Sequence, residues 1–434
     1  MADAARSWGR YPRVAQAEQA VHDRFAALPG FEGTALPHGN GRSYGDSCQN
    51  PGGTLLRTRG LDRFIAFDPA SGQLHCEAGV TLDEIIQLVL LQGWFLPVTP
   101  GTRYVTVGGA IANDVHGKNH PMAGSFGHHV LALELLRSDG SRRLCRPGDG
   151  EGWFEATVGG LGLTGLVTHA HLQLRRVPGS ALEVENIHFG TLQEFFALSR
   201  ESVADFEYSV AWVDCLARGK ALGRAHFTRA NHAAQPAGER PTPPRRPLAM
   251  PFTPPLSLVN RLTLCPFNAL YYWRQCPLRR RQALHLLPFF YPLDGIAHWN
   301  RMYGRAGFLQ YQCVLPPAQA ADGVAALLQD IARSGQGSFL AVLKPFGAQP
   351  APGLLSFARE GTTLALDFPN TGPRLLQLLQ RLDQIVDAAG GAQYPAKDAR
   401  MSAASFQQAF PRWQEFSRFI DPRFSSGLWR RVTE

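Results

Sequence analysis

Two glycine-dense segments, a group of histidines and a few lysines carry the residue types best suited to chemistry. The first segment is Gly39-Asn-Gly-Arg-Ser-Tyr-Gly45. Glycines at this density let backbone N–H groups come close to an anion and cradle a diphosphate. A plain tight loop is the other reading of the same residues. The spacing G-x-G-x-x-x-G is not that of a dinucleotide fingerprint, and Asp46-Ser-Cys-Gln-Asn-Pro-Gly-Gly53 favours a turn over a following helix. It lacks the G-K-[ST] triplet of a P-loop. The second segment, Pro100 to His129, holds His116, His120, His128 and His129. H-x-x-x-H ligates a metal from one helix face, but Gly117 and Pro121 interrupt such a helix and no acidic partner is suitably spaced. No metal is expected there.

The lysines stand out by their scarcity. The 434-residue chain has 43 basic and 35 acidic side chains, formally +8, and only Lys118, Lys220, Lys344 and Lys397 are lysines. Where arginine is the default surface cation, a lysine marks a place that wants a compact charge on a flexible stem. Residues 229–305 hold eleven arginines, no lysine and two acids, Glu239 and Asp294. A nucleic-acid coat spreads its charge more widely, and no nucleic-acid-binding motif accompanies this run, so nucleic acid is not expected. The seven cysteines are odd in number and scattered without C-x-x-C, which argues against a disulfide scaffold or zinc ribbon. The N-terminus lacks the basic-then-apolar pattern of a signal peptide, and the apolar run from Ile85 to Leu91 is too short to span a bilayer. A cytoplasmic or peripherally membrane-associated protein is expected.

The elements that position these residues are partly readable. Thr81 with Glu84 forms a capping box, and Gly93 stops the helix that follows. Phe308 to Val314, Phe339 to Lys344 and Thr362 to Phe368 read as strands. Alternation puts Gln310 and Gln312 on one face. It also separates Leu364, Leu366 and Phe368 from Thr363, Ala365 and Asp367. The polar faces either meet solvent or line a pocket for a hydroxylated or phosphorylated ligand. A helix starts at Pro373, carries Leu375, Leu379, Leu382 and Val386 on one face, and stops at Gly390. Pro236 to Pro255 holds eight prolines and reads as an extended or disordered loop.

The ordered motifs resemble the FAD-binding (PCMH) domain of the vanillyl-alcohol oxidase type over nearly the whole chain. They are Gly41-Arg-Ser-Tyr-Gly-Asp46, Pro100-Gly-Thr-Arg103, His116-Gly-Lys-Asn-His120, Ala123-Gly-Ser-Phe-Gly127 and Ala156-Thr-Val-Gly-Gly160. Trp299-Asn-Arg301, Gly307-Phe-Leu-Gln-Tyr-Gln312, Lys344, Asp367-Phe-Pro369 and Ala396-Lys-Asp-x-Arg400 complete the set. The resemblance implies an α+β fold of two domains. An FAD-binding domain spans 1–180 and returns at 392–434, and an antiparallel-sheet substrate domain is inserted at 181–391 with a flexible basic loop at 229–292. It further implies that Gly39, Asn40, Gly41, Arg42, Ser43, Tyr44, Gly45 and Ser47 wrap the FAD diphosphate. Gly101, Thr106, Gly108, Gly109, Asn113, His116 and Gly117 would line the rest of the cofactor, with Val167 and Tyr394 closing it.

By the same resemblance Lys397 lies near the flavin N1/C2 edge, where a fixed cation stabilises charge that arrives with hydride. Tyr44, His116, Lys118, Tyr303, Gln310, Gln312, Lys344, Thr363, Ala365 and Asp367 would face the substrate. The implied activity is hydride transfer to flavin N5 from the C2′ hydroxyl of a polyprenyl-phosphoryl pentose, the first half of an epimerisation that a short-chain reductase partner completes. A base must take the hydroxyl proton, and His116, Tyr44 and Lys397 are the candidates. A soluble oxidase of sugars, alditols or aldonolactones, and a weakly active flavin-binding assembly subunit, are the alternatives. The chain also departs from the family. Arg42 stands where covalent-flavin relatives carry a histidine, so FAD is expected to be non-covalent. Ala365 and Thr363 replace a family cysteine and asparagine, which removes a nucleophile and alters substrate detail. The arginine- and aromatic-rich residues 271–292 are expected to meet a membrane surface.

Overall fold

The computed structural model describes residues 6–233, 248–274 and 279–433. Part of the proline-rich stretch (236–247), Cys276 and Leu278 therefore lie outside the described residues. The capping box forms: Thr81 Oγ1 accepts from the Glu84 N–H, and helix Leu82–Val89 buries Leu82, Ile85, Ile86 and Val89. Gly93 ends it with φ +80°, a conformation that favours glycine. This helix packs against a five-stranded antiparallel sheet in the order Phe64–Asp68, Gln73–Glu77, Leu166–Gln173, Val130–Leu136, Arg142–Cys145. A small parallel sheet of Ala17–Ala20, Thr54–Arg57 and Ala35–His38 feeds the first glycine loop. After that loop comes only a three-residue turn, Asp46–Cys48, in keeping with its turn-forming residues.

The second large sheet has eight strands. Their order is Arg279–His285, Ala181–Phe189, Ala225–His232, Tyr208–Val213, Ala341–Phe346, Gly361–Pro369, Phe308–Leu315, Ala392–Gln393, all antiparallel. Leu309, Tyr311, Cys313 and Leu315 alternate onto one face, as do Leu343, Leu364, Leu366 and Phe368. Helices Leu192–Asp205, Ala320–Ser334 and Pro373–Ala388 cover that face through Phe195, Leu327, Ile331, Leu375, Leu379, Leu382 and Val386. The expected Pro373 helix thus buries its predicted stripe. The fold is α+β with predominantly antiparallel sheets.

Two expectations change. The strand expected at Phe339 to Lys344 runs instead from Ala341 to Phe346, so Lys344 sits inside it. The basic segment 229–292 is not one flexible loop where it is described. Arg261–Trp273 is a helix capped by Asn260, and Arg279–His285 adds an edge strand to Ala181–Phe189. The reason is a carboxylate remote in sequence. Buried Glu185 takes Arg229 Nε at 2.7 Å, Arg281 Nε at 2.9 Å and Arg279 Nε at 3.1 Å. Phe289, Phe290 and Tyr291 enter the core beside the five-stranded sheet rather than facing outward.

The C-terminal segment locks the first glycine loop. Arg431, on helix Gly427–Thr433, places Nη2 at 2.8 Å and Nε at 3.0 Å from the two Asp46 carboxylate oxygens, and Nη2 also bonds Asp398 Oδ2 at 2.9 Å. Both aspartates are buried, so removing the guanidinium leaves two uncompensated charges. Arg431→Ala is expected to cost about 3 kcal/mol of stability, read as a lowered midpoint of chemical unfolding, and Arg431→Lys to recover only part of it because it cannot form the fork.

Candidate active site

The face of the large sheet opposite its helices carries the polar set. The register places Gln310 beside Asp367, Gln312 beside Ala365 and Thr363 beside Lys344. This face is covered: Thr363 and Asp367 are fully buried and Gln312 is 6% exposed. The solvent reading therefore does not hold for these side chains. The covering comes from the two glycine segments. The Tyr44 N–H donates to Ala396 O at 2.9 Å. Gly45 lies so close to the Asp398 backbone that any β-carbon would collide with it. That seam brings Lys397 Nζ to 3.8 Å from the Tyr44 ring centroid.

His116 faces the polar sheet from the second segment. The Gln312 amide nitrogen lies 2.9 Å from His116 Nε2 and 3.2 Å from Thr363 Oγ1, so Nε2 accepts and the ring proton sits on Nδ1. Phe346, Tyr394 and Phe357 surround the ring, and burial pushes its pKa well down, helped by the charges of Lys344 and Lys397. Tyr394 donates its hydroxyl to Asn113 O at 2.8 Å, and Asn113 Nδ2 donates to Gly109 O at 2.8 Å. Thr106 caps the short helix that holds Gly108 and Gly109. Gly101 is exposed with open space where a β-carbon would point, Gly117 is buried against Thr99, and Val167 packs in the core of the five-stranded sheet.

Three of the four lysines meet here. Burial lowers Lys344 to about 8, and burial with the nearby Lys344 charge lowers Lys118 to about 7. Lys397 is pulled down by burial, held up by Asp367 and pulled down further by Lys344. Asp367 is pushed up by burial against the Gln310 hydrogen bond and the Lys397 charge. Gln310 Nε2 donates to Asp367 Oδ1 at 2.5 Å, and the Asp367 N–H donates to Ser338 Oγ at 3.2 Å. Lys118 differs from the other two: its ammonium rests on the carbonyls of Phe289 and Phe290. Tyr303, stacked on Phe308 at 4.2 Å, completes the wall, and burial raises both its pKa and that of Tyr44. Lys220 lies outside this group, in an exposed turn.

Sequence reasoning missed Ser338, which fixes the Asp367 backbone, and Asp294, which accepts from the Arg103 N–H at 2.9 Å and raises the Arg42 pKa against its burial. It also passed over Asp114, which joins Ser356 Oγ at 2.6 Å and the Gly127 N–H at 2.9 Å to brace the loop before His116. Their partners are far away in sequence, so no local spacing marks them.

Several buried polar atoms here have no hydrogen-bond partner among the described residues. They are Ser47 Oγ, Arg42 Nε, His116 Nδ1, Tyr303 OH, Gln310 Oε1 and Asp367 Oδ2. Buried polar groups are normally paired, so their convergence with a glycine-rich backbone wall fits a large polar ligand carrying a diphosphate.

Comparison with known proteins identifies that ligand. Residues 15–146 match the FAD binding domain family. The chain is 39% identical over 422 residues to the decaprenylphosphoryl-β-D-ribose oxidase of Mycolicibacterium smegmatis, covering 94% of this chain and 90% of that protein. The chain belongs to the decaprenylphosphoryl-β-D-ribose oxidase family. It is an FAD-dependent oxidoreductase. A Streptomyces coelicolor protein from the mprA 5′ region is 37% identical over 81% of this chain and all of its own length. The alditol oxidase of Streptomyces sp. (strain IKD472 / FERM P-14339) is 25% identical over 88% of this chain and 86% of its own. In this family member the orphaned Ser47 and Arg42 atoms fall on the glycine loop, while those of His116, Tyr303, Gln310 and Asp367 fall on the opposing polar wall.

Proposed function

We propose that this protein oxidises the C2′ hydroxyl of a polyprenyl-phosphoryl pentose, the first half of an epimerisation that a separate short-chain reductase completes. One observation carries the reading. Partly buried Lys344 acts on both Lys118 and Lys397, and among the described residues the buried Asp367 carboxylate offsets Lys397 alone, leaving a positive group that an anionic, hydroxyl-rich ligand would balance. The full-length similarity to a protein named for such a substrate supports it.

Gly39 to Ser47 and Thr106 to Asn113 would hold the FAD, without a covalent link, since Arg42 stacked 4.0 Å over Trp8 offers no nucleophile. The bound flavin supplies the hydride acceptor. The protein supplies the proton acceptor. Tyr44 stays protonated because burial raises its pKa, and the His116 proton points from Nδ1, so both act as donors that orient the substrate. Lys397 and Asp367 remain. Burial drives both toward their neutral forms while each holds the other charged, so the pair has a basic atom in either arrangement. Nζ of the amine or Oδ2 of the carboxylate takes the hydroxyl proton, and Gln310 and Gln312 align the sugar.

An alditol oxidase chemistry is the second reading, favoured by the likeness over most of both chains. Anaerobic mixing separates the two. A polyprenyl-phosphoryl pentose is expected to bleach the flavin absorbance, and free pentoses and alditols are expected to leave it; the reverse pattern assigns the protein to alditol chemistry.

The proton relay has a pH signature. Low pH protonates the pair and removes the base, so kcat/KM for flavin reduction should rise with pH to a plateau. Asp367→Asn removes the group that holds the Lys397 pKa up, which moves the acid limb to lower pH. Lys397→Met lowers flavin reduction by about 100-fold. An acid limb that stays in place in Asp367→Asn rejects the pair.

The surface we propose for membrane contact shares Trp273, Arg274 and Arg280 with the expected segment 271–292 and extends it toward the N-terminal side. Leu262 (86% exposed), Leu270 (72%) and Trp273 (66%) project from helix Arg261–Trp273, with Leu256 (80%) and Phe252 (63%) beside them. Arg261, Arg274 and Arg280 are exposed around them. An apolar patch of this kind with a cationic rim suits a bilayer of anionic lipid, where the tail of a lipid-linked substrate resides. Wild type should pellet with phosphatidylglycerol liposomes, and a Leu262→Ser/Leu270→Ser/Trp273→Ser variant should stay in the supernatant; equal pelleting removes the membrane role.

A further inference from the structure

The most distinctive side-chain group outside the active site is a histidine triad on the five-stranded sheet. His75 pairs directly across the ladder with His171, and Glu77 pairs with His169. In both strands the neighbours Leu74, Cys76, Ala170 and Leu172 point into the core, so alternation sends the three imidazoles to the same outer face. Their nearest ring nitrogens all lie within 4.8 Å of one another. His75 Nε2 faces His169 Nδ1 at 3.0 Å, and the His75 and His171 rings stack with centroids 3.7 Å apart.

We propose that His75, His169 and His171 form a binding site for a borderline-soft divalent metal, with Zn²⁺ as its simplest occupant. Three imidazole nitrogens are a zinc-type donor set, unsuited to Mg²⁺ or Ca²⁺, which take oxygen ligands. Nitrogens bound to a tetrahedral Zn²⁺ sit about 3.4 Å apart, given Zn–N bonds of about 2.0–2.1 Å, so the triad closes on an ion by drawing its nitrogens together and tilting His75 and His171 out of their stack. The surroundings prepare the ligands. His75 Nε2, His169 Nδ1 and a His171 ring nitrogen face one another on the outer side of the ladder. His169 turns Nδ1 toward the triad, and its Nε2 lies 3.9 Å from Glu134 Oε1. Glu134 is itself fixed by Thr168 Oγ1 at 2.7 Å and Arg142 Nη1 at 2.7 Å. A carboxylate behind a ligating histidine is the usual orienting partner of such sites. The charged groups around the triad are Arg24, bound to Glu77 at 2.7 Å, and Arg146, whose charge reaches His171. The three rings are partly exposed, which leaves a route in and a solvent position for a fourth ligand. A metal here ties the strand Gln73–Glu77 to Leu166–Gln173 from outside, opposite the core.

The test uses the flavin-loaded protein after chelator treatment. Titration calorimetry with Zn²⁺ should show one saturable site per chain, and Co²⁺ should give the visible absorption of a nitrogen-ligated tetrahedral ion. His171→Ala and, separately, His169→Gln should each weaken Zn²⁺ binding by at least about tenfold, with flavin absorbance and the metal-free melting temperature reporting that the variants are folded. Absence of saturable binding in the wild type overturns the site. So does wild-type affinity in both variants, or a Co²⁺ spectrum dominated by thiolate charge transfer. If both variants fail to fold, the wild-type titration and its Co²⁺ spectrum decide alone.

Discussion

The two-residue period of Phe308–Leu315 and Gly361–Pro369 is the constraint on which the rest depends. These neighbouring strands send Leu309, Tyr311, Cys313, Leu364, Leu366 and Phe368 to three helices. The same period sends Gln310, Gln312, Thr363 and Asp367 the other way. A slip of one residue would put two amides of Phe308–Leu315, or the carboxylate of Gly361–Pro369, into an apolar core and turn that strand's apolar side chains the other way. Register is thus enforced by burial on the helix side, and the polar constellation is held in place by a core it does not touch. This explains how a charged pocket can be rigid without a dense hydrogen-bond network. Asp367 Oδ2, Gln310 Oε1 and Tyr303 OH are unpaired among the described residues, because hydrophobic packing positions their backbones.

The second consequence is electrostatic. Removing an ion from water costs on the order of several kcal/mol even after relaxation, and here Lys344 acts on both Lys118 and Lys397 while the Asp367 carboxylate offsets Lys397. Lys118 is relieved by carbonyl oxygens of Phe289 and Phe290, and Lys397 by Asp367 and the Tyr44 ring. Among the described residues Lys344 meets the distant face of Phe346, at 5.9 Å. Arginine would not serve in these places. Its charge cannot be shed on burial, whereas a lysine lowers its pKa and loses its proton. The scarcity of lysine in the chain and its concentration in this pocket thus have one physical origin.

Much of this was legible in the sequence where the signal is local. The Thr81 cap and the Pro373 stripe appear as read, because capping and helical periodicity involve residues a few positions apart. The polar and apolar faces of the two strands were also visible. What alternation alone does not say is whether a polar face meets water, and that depended on the glycine loops folding over it. The basic segment was misread for the same reason. Arg279 and Arg281 look like a solvated charge run until Glu185, from a distant strand, is set beside them. Prolines strengthened the loop impression, yet Pro266 sits within helix Arg261–Trp273. The histidines show the converse case. Those of the second glycine segment stand close in sequence, yet His120, His128 and His129 each engage separate backbone groups. His75, His169 and His171 become neighbours only through strand pairing.

The two uses of positive charge also separate in space and in kind. Arginines on Arg279–His285 protect a sheet edge, where exposed ladder groups invite pairing with another chain and charged side chains discourage it. They do so while neutralising Glu185, whose carboxylate is buried and would otherwise be an isolated charge. The adjoining helix then exposes Leu262, Leu270 and Trp273. An edge that is charged and a helix face that is greasy are opposite strategies toward solvent, placed side by side. The proposed bilayer contact would reconcile them, with anionic charge at the level of the arginines and hydrocarbon at the level of the leucines and tryptophan.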